Sequence, residues 1–521
     1  MIGSGVIYAL ILIVGFIGIM FLLDKWNLLE PMSMEMSGPL LMWRTKKGRD
    51  LIDKIANKKR FWQVYGNICI VITALAMIII LGMVILNAIV AGDVPAEQAP
   101  RAEEILVIPG VNPFIPIGYG ILSLAVGIII HEFSHAILTR VGDIEVKSLG
   151  LIFLVVPLGA FCEPNEEEIE ETERLKRDRM FAAGPSTNII LGIVIFLIFS
   201  TFFMGAVSPE EDGLLVMEIY GDTPADEAEI RTFDHILEID GERTRDRDTL
   251  ENIDVEVVEN GIDETNLSLR KVNLTARRGK EEVIFDNVTP GLVVVSIRED
   301  SPAMESDLEI GDVLSHIDGT EIRNRSKFSE ILGDRNDDEE IKLTYWRKNN
   351  TEYQMSKENL TLEDGSLGVG VSYLGIGYQE GDWYPKMLSN PITSAETNTE
   401  AMQNVFMYIA LPLLRLSPVP EELTGFYEIS GPMGSLPTSA FWLLANSLYW
   451  ILWLNILLGL FNALPALPLD GGRLVKDWFE SLTERLGYDE NIQEKVSSGA
   501  VTVLSLTVLF LLAWSMIGPW I

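Results

Sequence analysis

The stretch Ile117–His135 reads IGYGILSLAVGIIIHEFSH, an apolar run that ends in two histidines four residues apart. On an α-helix, residues i and i+4 lie on one face, a turn apart, so His131 and His135 can hold one metal ion. Glu132, at i+1, can reach the open coordination position and take a proton from water there. The alternative is two surface histidines beside an acid. It is disfavoured because ionisable residues are costly in an apolar helix, and because the chain has only four histidines in 521 residues.

The overall charge of the chain excludes one class of function. The chain holds 40 Lys and Arg against 75 Asp and Glu, a net charge of −35. Nucleic acid binding needs clustered cations against the phosphates, so we predict no nucleic acid partner. The two cysteines, Cys69 and Cys162, lie in apolar runs and provide neither a disulfide framework nor a paired-cysteine metal site.

Six apolar runs are each close to the roughly 20 residues that cross a bilayer as a helix. They are Ile2–Leu23, Val64–Val90, Ile117–Leu138, Ile189–Val207, Ala440–Leu464 and Ala500–Ile521. The first run lacks the basic start and the cleavage site of a signal peptide, so we predict that it is a retained span. The sequence therefore predicts a polytopic α-helical membrane protein with about six spans in the cell membrane.

Basic residues indicate the orientation of these spans. The connections after the first, third and fifth runs are rich in Lys and Arg, whereas the connection after the second holds only Arg101. Because cytoplasmic loops carry the excess of Lys and Arg, we predict that both termini lie outside. The HEFSH motif then lies toward the cytoplasm, and the long connection between the fourth and fifth runs is extracytoplasmic.

This long connection carries most of the negative charge. Val207–Asp382 contains 43 acidic and 18 basic residues. Excess carboxylates hold water, and salt screens their mutual repulsion. We therefore predict a surface suited to high salt, typical of a halophilic archaeon. A strongly basic partner is the alternative.

The acidic connection also contains an internal repeat. GLLVMEIYGDTPADEAEIRTFDHILEIDG at Gly213–Gly241 aligns without a gap with GLVVVSIREDSPAMESDLEIGDVLSHIDG at Gly291–Gly319, 78 residues later. Each copy closes a hydrophobic strand with an Asp-Gly turn. Phe233 stands where Gly311 precedes the turn aspartate, so we expect the first turn to differ. The pattern resembles tandem PDZ domains of membrane proteases. This implies two small β-rich domains that bind peptide ends by strand addition; closed spacer domains are the alternative.

A third metal ligand is needed beside the two histidines. His235 and His316 belong to the repeats, on the other side of the membrane by the predicted orientation. The best candidate lies in Asn462–Arg473, which reads NALPALPLDGGR. Two prolines break the helix there and leave Asp470 on unwound backbone in an apolar context, where a carboxylate needs a cation. The alternative is a solvated Asp470 at the cytoplasmic rim.

These pieces together resemble the site-2 proteases, zinc metalloproteases that cut inside the membrane. The resemblance rests on the HExxH motif paired with Asn-x-x-Pro-x-x-x-Leu-Asp-Gly, and it covers about residues 115–521. Three shorter stretches match further family patterns: Pro157–Phe161, Ala183–Asn188 and Gly431–Gly434. Ala160 departs from the more usual Gly.

The resemblance implies site roles for five residues. One zinc ion per chain would be bound by His131, His135 and Asp470, and Glu132 would be the general base. Asn462 would position the substrate, although an interhelical hydrogen bond is the alternative for this amide.

Two further segments are too short for a span. Leu149–Phe161 contains the β-branched residues Ile152, Val155 and Val156, so we predict a re-entrant or edge strand beside the site. Met402–Leu416 is predicted to be an interfacial helix.

We divide the chain into 1–104, a two-span extension with a basic cytoplasmic loop; 105–206, a catalytic half; 207–289 and 290–384, the PDZ-like repeats; 385–435, an interfacial linker; and 436–521, the second catalytic half.

The sequence thus predicts a zinc-dependent intramembrane endopeptidase that cleaves transmembrane segments of membrane proteins in regulated proteolysis. One rival is a non-catalytic membrane scaffold that binds extracytoplasmic peptides through the PDZ-like domains. The intact Glu132 argues against it, since a scaffold would tolerate loss of this base. A second rival is a transporter, for which repeats among the spans would be expected; the sequence shows none.

Overall fold

The computed structural model describes residues 4–45, 48–94, 99, 101, 104, 107–154, 156–244, 246–253, 255–258, 267–333, 335–349, 352–393, 395, 397–412 and 419–520. The chain divides into two compact units. The first, here the membrane unit, comprises Met1–Phe199, Ile409–Pro418 and Leu443–Ile521. The second, here the repeat unit, comprises Ser200–Tyr408 and Val419–Trp442.

Helices and strands are numbered in chain order. The α-helices are α1 Ser4–Lys25, α2 Arg49–Ala56, α3 Lys59–Val90, α4 Ile117–Val141, α5 Glu166–Glu171, α6 Arg174–Ile198, α7 Pro224–Glu227, α8 Arg247–Glu251, α9 Arg325–Gly333, α10 Trp383–Ser389, α11 Asn398–Ala410, α12 Thr438–Asn462, α13 Asp470–Arg485 and α14 Glu490–Ile517. The strands are β1 Met34–Ser37, β2 Leu40–Thr45, β3 Val146–Leu154, β4 Val156–Pro164, β5 Val207–Pro209, β6 Leu214–Ile219, β7 His235–Ile239, β8 Glu242–Arg243, β9 Glu256–Val258, β10 Leu267–Leu269, β11 Val272–Arg278, β12 Glu281–Val288, β13 Leu292–Ile297, β14 Val313–Ile317, β15 Thr320–Glu321, β16 Glu340–Asn349, β17 Glu352–Thr361, β18 Val369–Tyr373, β19 Ile376–Glu380 and β20 Tyr427–Ile429.

Five helical segments of the described residues are long and apolar enough to cross a membrane. They are α3, α4, the stretch Arg174–Ala206 that contains α6, α12 and α14. Their outward faces are apolar: Ile78 is 70% exposed and Phe510 63%, which lipid tolerates and water does not. The sequence predicted about six spans. The first run, Ile2–Leu23, is the one that is not among these five. It forms most of α1, and its side chains are described only from Val14 onward.

A four-stranded antiparallel sheet lies beside the motif helix in the membrane unit. Its strand order is β1-β2-β3-β4, so β4 is an edge strand. The sequence predicted one strand over Leu149–Phe161. The structure has a hairpin instead, because residues 146–164 are long enough for two strands, β3 and β4, that pair with each other. Val155, between them, lies outside the described residues. The hairpin β1–β2 was not predicted; it extends the sheet with Leu41 opposite Phe153.

The repeat unit contains two similar sheets, and one repeat is inserted into the other. The first sheet has the order β12-β11-β7-β6-β19, and the second has β17-β16-β14-β13-β18. The chain therefore completes the second repeat before it returns to the first with β19. The predicted boundary assigned residues 290–384 to the second repeat, whereas Ile376–Glu380 pairs with β6 of the first. A division by chain order does not reveal this, because β19 follows the second repeat in the chain but completes the sheet of the first.

The two predicted turns have the same backbone conformation, contrary to the expectation from sequence. Phe233 adopts φ +72° and Gly311 adopts φ +95°. The N–H of Phe233 donates to Val216 O at 2.7 Å, and the N–H of Gly311 donates to Val294 O at 2.9 Å. The first repeat thus holds a bulky residue in the left-handed region, where the matching backbone hydrogen bonds compensate its strain.

Within the described residues, the predicted interfacial helix over Met402–Leu416 is helical up to Ala410. The helix α11 begins at Asn398 and ends at Ala410. Residues 413–418 lie outside the described part of the chain. An earlier end is consistent with Pro412, which restricts the residue before it to extended backbone.

Candidate metal centre

Three of the predicted site residues come together in the membrane unit. The Nε2 atoms of His131 and His135, on α4, are 3.2 Å apart. Asp470, the first residue of α13, places Oδ2 3.1 Å from His131 Nε2 and 3.2 Å from His135 Nε2. Among the described residues, these three are the cluster of donor side chains whose ligand atoms all lie within 4.8 Å of one another.

The start of α13 can lie close to this site because two glycines, Gly471 and Gly472, follow Asp470. A Cβ on Gly471 would lie 2.2 Å from Ala463 O, and one on Gly472 would lie 2.5 Å from the Ala466 carbonyl carbon. The start of α13 therefore packs directly on the backbone of the unwound segment after α12. A side chain at either position would push Asp470 away from the imidazoles.

A buried ion pair fixes the middle of α13. The guanidinium of Arg177 on α6 donates two hydrogen bonds of 3.0 Å to the carboxylate of Asp477. The two side chains are 12% and 8% exposed. Such a bidentate pair holds a defined orientation, so α13 is aligned with α6 two turns beyond Asp470.

The donor set fits a zinc ion. Tetrahedral zinc with bonds of about 2.0–2.1 Å places its ligand atoms about 3.3 Å apart, close to the 3.1–3.2 Å between the three donor atoms. His135 Nδ1 lies 2.7 Å from Met180 O and can donate to it. A proton on Nδ1 leaves the Nε2 lone pair for a metal, which is the usual outer support of a metal-binding imidazole.

Asn188 provides the corresponding support for His131. Its amide lies 3.4 Å from His131 Nδ1, and its Oδ1 is buried without a hydrogen bond partner among the residues that the structure describes. When Nε2 of His131 binds a metal, Nδ1 carries the proton and needs an acceptor. A half-turn of the amide brings Oδ1 to that proton and satisfies both groups. The sequence placed Asn188 in a family motif without a role; a buried amide inside an apolar helix was the signal.

Gly184 makes room for the two imidazoles. A Cβ at this position would lie 2.4 Å from His135 Nε2 and 2.5 Å from His131 Nε2. Real contacts of this length do not occur, and the imidazoles cannot retreat because their Nδ1 atoms face Met180 O and Asn188. The Gly-Pro pattern of the sequence therefore has a physical reason here.

Glu132 and Asn462 line the same cleft as the three donors. The cleft has a volume of about 270 Å³ and is also lined by Cys162, Phe181 and Arg473. The N–H of Cys162, on the edge strand β4, donates to Glu132 Oε2 at 3.0 Å. The amide of Asn462 donates to Leu458 O of its own helix at 3.0 Å, so this side chain lies at the cleft while bonded to α12.

An HExxH helix long enough to cross a membrane, with a carboxylate on a second helix beside it, defines a membrane-embedded metalloprotease. The model of peptidase family M50 matches residues 119–507, most of the chain. The chain therefore belongs to peptidase family M50, and the predicted metalloprotease activity and site-2 protease resemblance are confirmed.

Several known proteins are similar to this chain. An uncharacterized protein of Methanocaldococcus jannaschii is 33% identical over 153 residues, which are 28% of this chain and 40% of that protein. A Rickettsia conorii protein named as a zinc metalloprotease is 21% identical over 75% of this chain and 95% of its own length. The regulator of sigma E protease of Haemophilus influenzae is 23% identical over 76% of this chain and 97% of its own. The PDZ domain of a Listeria monocytogenes SdrC-like protein is 25% identical over 17% of this chain and 86% of its own, with a TM-score of 0.13.

The family membership also supports a membrane location and zinc as the metal. The orientation of the termini, the high-salt surface and the roles of the five site residues stay predictions.

Gly184→Ala should weaken metal binding, because the new methyl group would occupy the space of the two imidazoles. We expect zinc affinity to fall about 10–100-fold, the usual loss when the support of a ligand is disturbed, as measured by competition with a chelator. Gly118→Ala is the matched control, since a Cβ on Gly118 of α4 meets nothing within 4 Å. Unchanged zinc affinity in Gly184→Ala would show that α6 does not confine the site.

Proposed function

We propose that the chain is a zinc-dependent endopeptidase that cleaves peptide bonds within the transmembrane segments of membrane proteins. The observation that carries this proposal is the position of the donor cluster. His131 and His135 lie on α4, which is long and apolar enough to cross a membrane. A peptide bond that reaches this cluster must itself come from an apolar segment.

The proposed roles follow from the geometry. His131, His135 and Asp470 hold one zinc ion. Bound there, zinc would supply Lewis acidity that polarises a peptide carbonyl and makes water easier to deprotonate. Glu132 Oε2 accepts a hydrogen bond from the Cys162 N–H. The other carboxylate oxygen, Oε1, is left to accept a proton from water and to pass it to the departing amide nitrogen.

The edge strand β4 is proposed to hold the unwound substrate. A helical substrate pairs its own amides, so the scissile bond must be extended before attack, and its freed N–H and C=O groups need partners in an apolar setting. The N–H of Cys162 points away from β3, because it donates to Glu132. Ala160, two residues before it, presents its N–H along the same outer edge. A substrate strand paired there lies next to the base.

Asn462 is proposed to contact the substrate from the opposite wall of the cleft. Its side chain lines the cleft together with Glu132. Its Nδ2 carries two hydrogens, of which one is bonded to Leu458 O. The second can donate to a substrate carbonyl.

The proposed setting is regulated proteolysis in the cell membrane. The active site faces the cytoplasm, and the two repeats lie outside, where they bind peptide ends. The similarity to a protein named regulator of sigma E protease supports a regulatory role. A scaffold without catalysis is less well supported, because Glu132 and all three donor residues are present.

Asp470→Asn should weaken zinc retention while the spans stay folded, because the amide removes the one charged ligand. We expect about one zinc per wild-type chain by elemental analysis, and clearly less in the variant. Glu484→Gln, on the exposed face of the same helix, is the control. If Asp470→Asn binds zinc as tightly as wild type and still cleaves, the third ligand lies elsewhere.

Glu132→Gln tests the proposed function directly. The amide oxygen can still accept the Cys162 N–H, but it cannot take a proton from water. Zinc content should stay at the wild-type level, whereas hydrolysis of a transmembrane substrate should fall by at least ~10². Glu163→Gln, a nearby carboxylate bonded to Ser148 and Arg44, should keep its activity. Full turnover in Glu132→Gln would contradict the assigned base.

Ala160→Pro tests the edge strand. Proline removes one outward N–H but leaves the hydrogen bonds toward β3 in place. Loss of one backbone hydrogen bond is about 0.5–1.5 kcal/mol, so cleavage of a transmembrane substrate should fall about 2- to 10-fold at unchanged zinc content. Ala160→Val keeps the N–H and is the control. Equal cleavage rates in Ala160→Pro and Ala160→Val would exclude substrate pairing at this position. The same mechanism predicts that helix-breaking residues in the substrate segment speed its cleavage.

A further inference from the structure

The segment that holds the two repeats is rich in the tripeptide Asn-x-Ser/Thr, the acceptor site for N-linked sugars. All six acceptor sites of the chain lie in Val207–Asp382, which contains ten asparagines, whereas none of the 14 asparagines elsewhere belongs to such a site. Serine and threonine make up 22 of the 176 residues of this segment. Ten asparagines would therefore form about one acceptor site by chance. The six are Asn266, Asn273, Asn287, Asn324, Asn349 and Asn359.

One of these asparagines has a structural explanation. Asn324 is half-buried at the start of α9, where its Oδ1 accepts the Lys327 N–H at 2.8 Å. Asp246, 78 residues earlier, caps α8 in the same way and accepts the Thr249 N–H at 2.9 Å. Asparagine is a common residue at the start of a helix, so Asn324 needs no further reason. Asn266 lies outside the described residues.

The other four asparagines lie on the outer hairpins of the two sheets. Asn273 and Asn287 belong to the hairpin β11–β12, and Asn349 and Asn359 belong to the hairpin β16–β17. Each hairpin ends its sheet on the side away from β19 or β18. All four asparagines are exposed. The acceptor sites thus occupy equivalent places in the two repeats.

Two of the four sites have an accessible asparagine and an accessible threonine. Thr361, of the Asn359 site, is exposed, and Thr275, of the Asn273 site, is half-buried. Thr289, of the Asn287 site, is buried at 3% exposure. Thr351, of the Asn349 site, lies outside the described residues. Asn273 and Asn359 are therefore the best-supported pair, with one on each hairpin.

The sheet gives no reason for an asparagine at position 359. Asn359 lies within the ten-residue edge strand β17, opposite Lys342, and asparagine is disfavoured in strands. Among the residues that the structure describes, its side chain has no hydrogen bond or ion pair partner. An attached sugar would displace no existing contact there.

Asn273 is also free at the atom that would be modified. It lies at a bulge of β11, between Val272 and Leu274, so the strand pairing is already interrupted there. Its Oδ1 accepts the Asn287 N–H at 3.0 Å. Its Nδ2 donates no hydrogen bond to any residue in the described part of the chain. The local structure therefore uses the oxygen of this amide and leaves its nitrogen available.

We propose that the outer hairpin of each repeat carries an N-linked oligosaccharide, at Asn273 in the first repeat and at Asn359 in the second. The inference rests on the proposed function in one respect, the orientation that places the repeats outside the cell. The co-reactant is an oligosaccharide joined to a lipid phosphate. Nδ2 forms a bond to the anomeric carbon of the sugar and loses a proton. The bond from that carbon to the phosphate oxygen breaks, and the lipid phosphate leaves with the electron pair.

Such sugars would protect one edge of each sheet. The edge strand β17 presents unpaired N–H and C=O groups along ten residues, to which a strand of another chain can add. A bulky, hydrated sugar at Asn359 blocks this addition. A sugar at Asn273 lies beside β12, the corresponding edge of the first sheet. The opposite edge strands, β18 and β19, contain no acceptor site.

Mass spectrometry of the full-length chain tests the inference. The chain is isolated from the membranes of cells that produce it naturally and is digested into peptides. The peptides that contain Asn273 and Asn359 should carry the added mass of an oligosaccharide on the asparagine. Asn336 is exposed but belongs to no acceptor site, so its peptide is the internal control and should be unmodified.

Substitution of each threonine separates enzymatic transfer from chance modification. Thr361→Ala leaves Asn359 in place but removes the acceptor site, so the intact chain should lose the mass of one oligosaccharide. Thr361→Ser keeps the site and should retain that mass. Thr275→Ala and Thr275→Ser form the corresponding pair for Asn273. An unmodified Asn273 or Asn359, a sugar on Asn336, or an unchanged mass in either alanine variant would overturn the inference.

A separate measurement reports on the orientation. Met304 is 61% exposed in the second repeat, and Met304→Cys should react with a membrane-impermeant maleimide in intact cells. The chain with only Cys69 and Cys162 gives the background. Labelling without sugar would overturn the inference and leave the orientation standing, whereas loss of both would overturn the orientation and the inference together. Cleavage of a transmembrane substrate is measured on the same preparation and tests the proposed enzyme independently, because neither Asn273 nor Asn359 lines the cleft.

Discussion

The metal centre depends on a steric constraint: the two imidazoles of the donor cluster lie where a side chain at position 184 of α6 would begin. Gly184 leaves that volume empty. Close approach of α6 to its neighbours continues along the helix, since a Cβ on Gly192 would lie 2.5 Å from the Ile456 side chain. Each helical glycine costs up to about 1 kcal/mol relative to alanine. The cost is offset because only a bare helix surface brings α4, α6 and α13 within reach of one ion.

The helix α6 then organises the site along one face. Arg177, Gly184 and Asn188 are separated by seven and four residues, so they share a stripe of the helix. From one end to the other, this stripe anchors α13 through Asp477, leaves room for the donors, and supports His131. The four-residue spacing on α4 places the two histidines on one face of that helix. The packing of α6 against α4 and α13 determines the distance between these histidines and Asp470, although α6 contributes no ligand itself.

Much of the metal centre could be predicted from the sequence, because the signals for its ligands are local. The spacing of His131 and His135, and the prolines that isolate Asp470, each act within a few residues. The roles of Gly184 and Asn188 arise only when α6 meets α4, so their sequence context suggested importance but no function. The strand β19 was assigned to the second repeat because it follows that repeat in chain order, whereas it pairs with β6 of the first. Chain order does not reveal which of two equivalent edges a strand will complete. The hairpin β1–β2 pairs with β3, which lies far from it in the chain, so no local signal predicts the pairing.

Under the proposed mechanism, one strand sets the position of both the base and the substrate. Cys162 donates its N–H to Glu132, and the same outer edge of β4 carries the N–H of Ala160. The distance between the scissile bond of a paired substrate and the Glu132 carboxylate is thus fixed by the spacing of residues along β4, about 3.3 Å each. It does not depend on the packing of separate helices. A substrate that unwinds exchanges its own helical hydrogen bonds for those of β4. The substrate then unwinds only as it pairs with β4 in a defined register, because an extended segment that does not pair leaves its backbone N–H and C=O groups without hydrogen bonds.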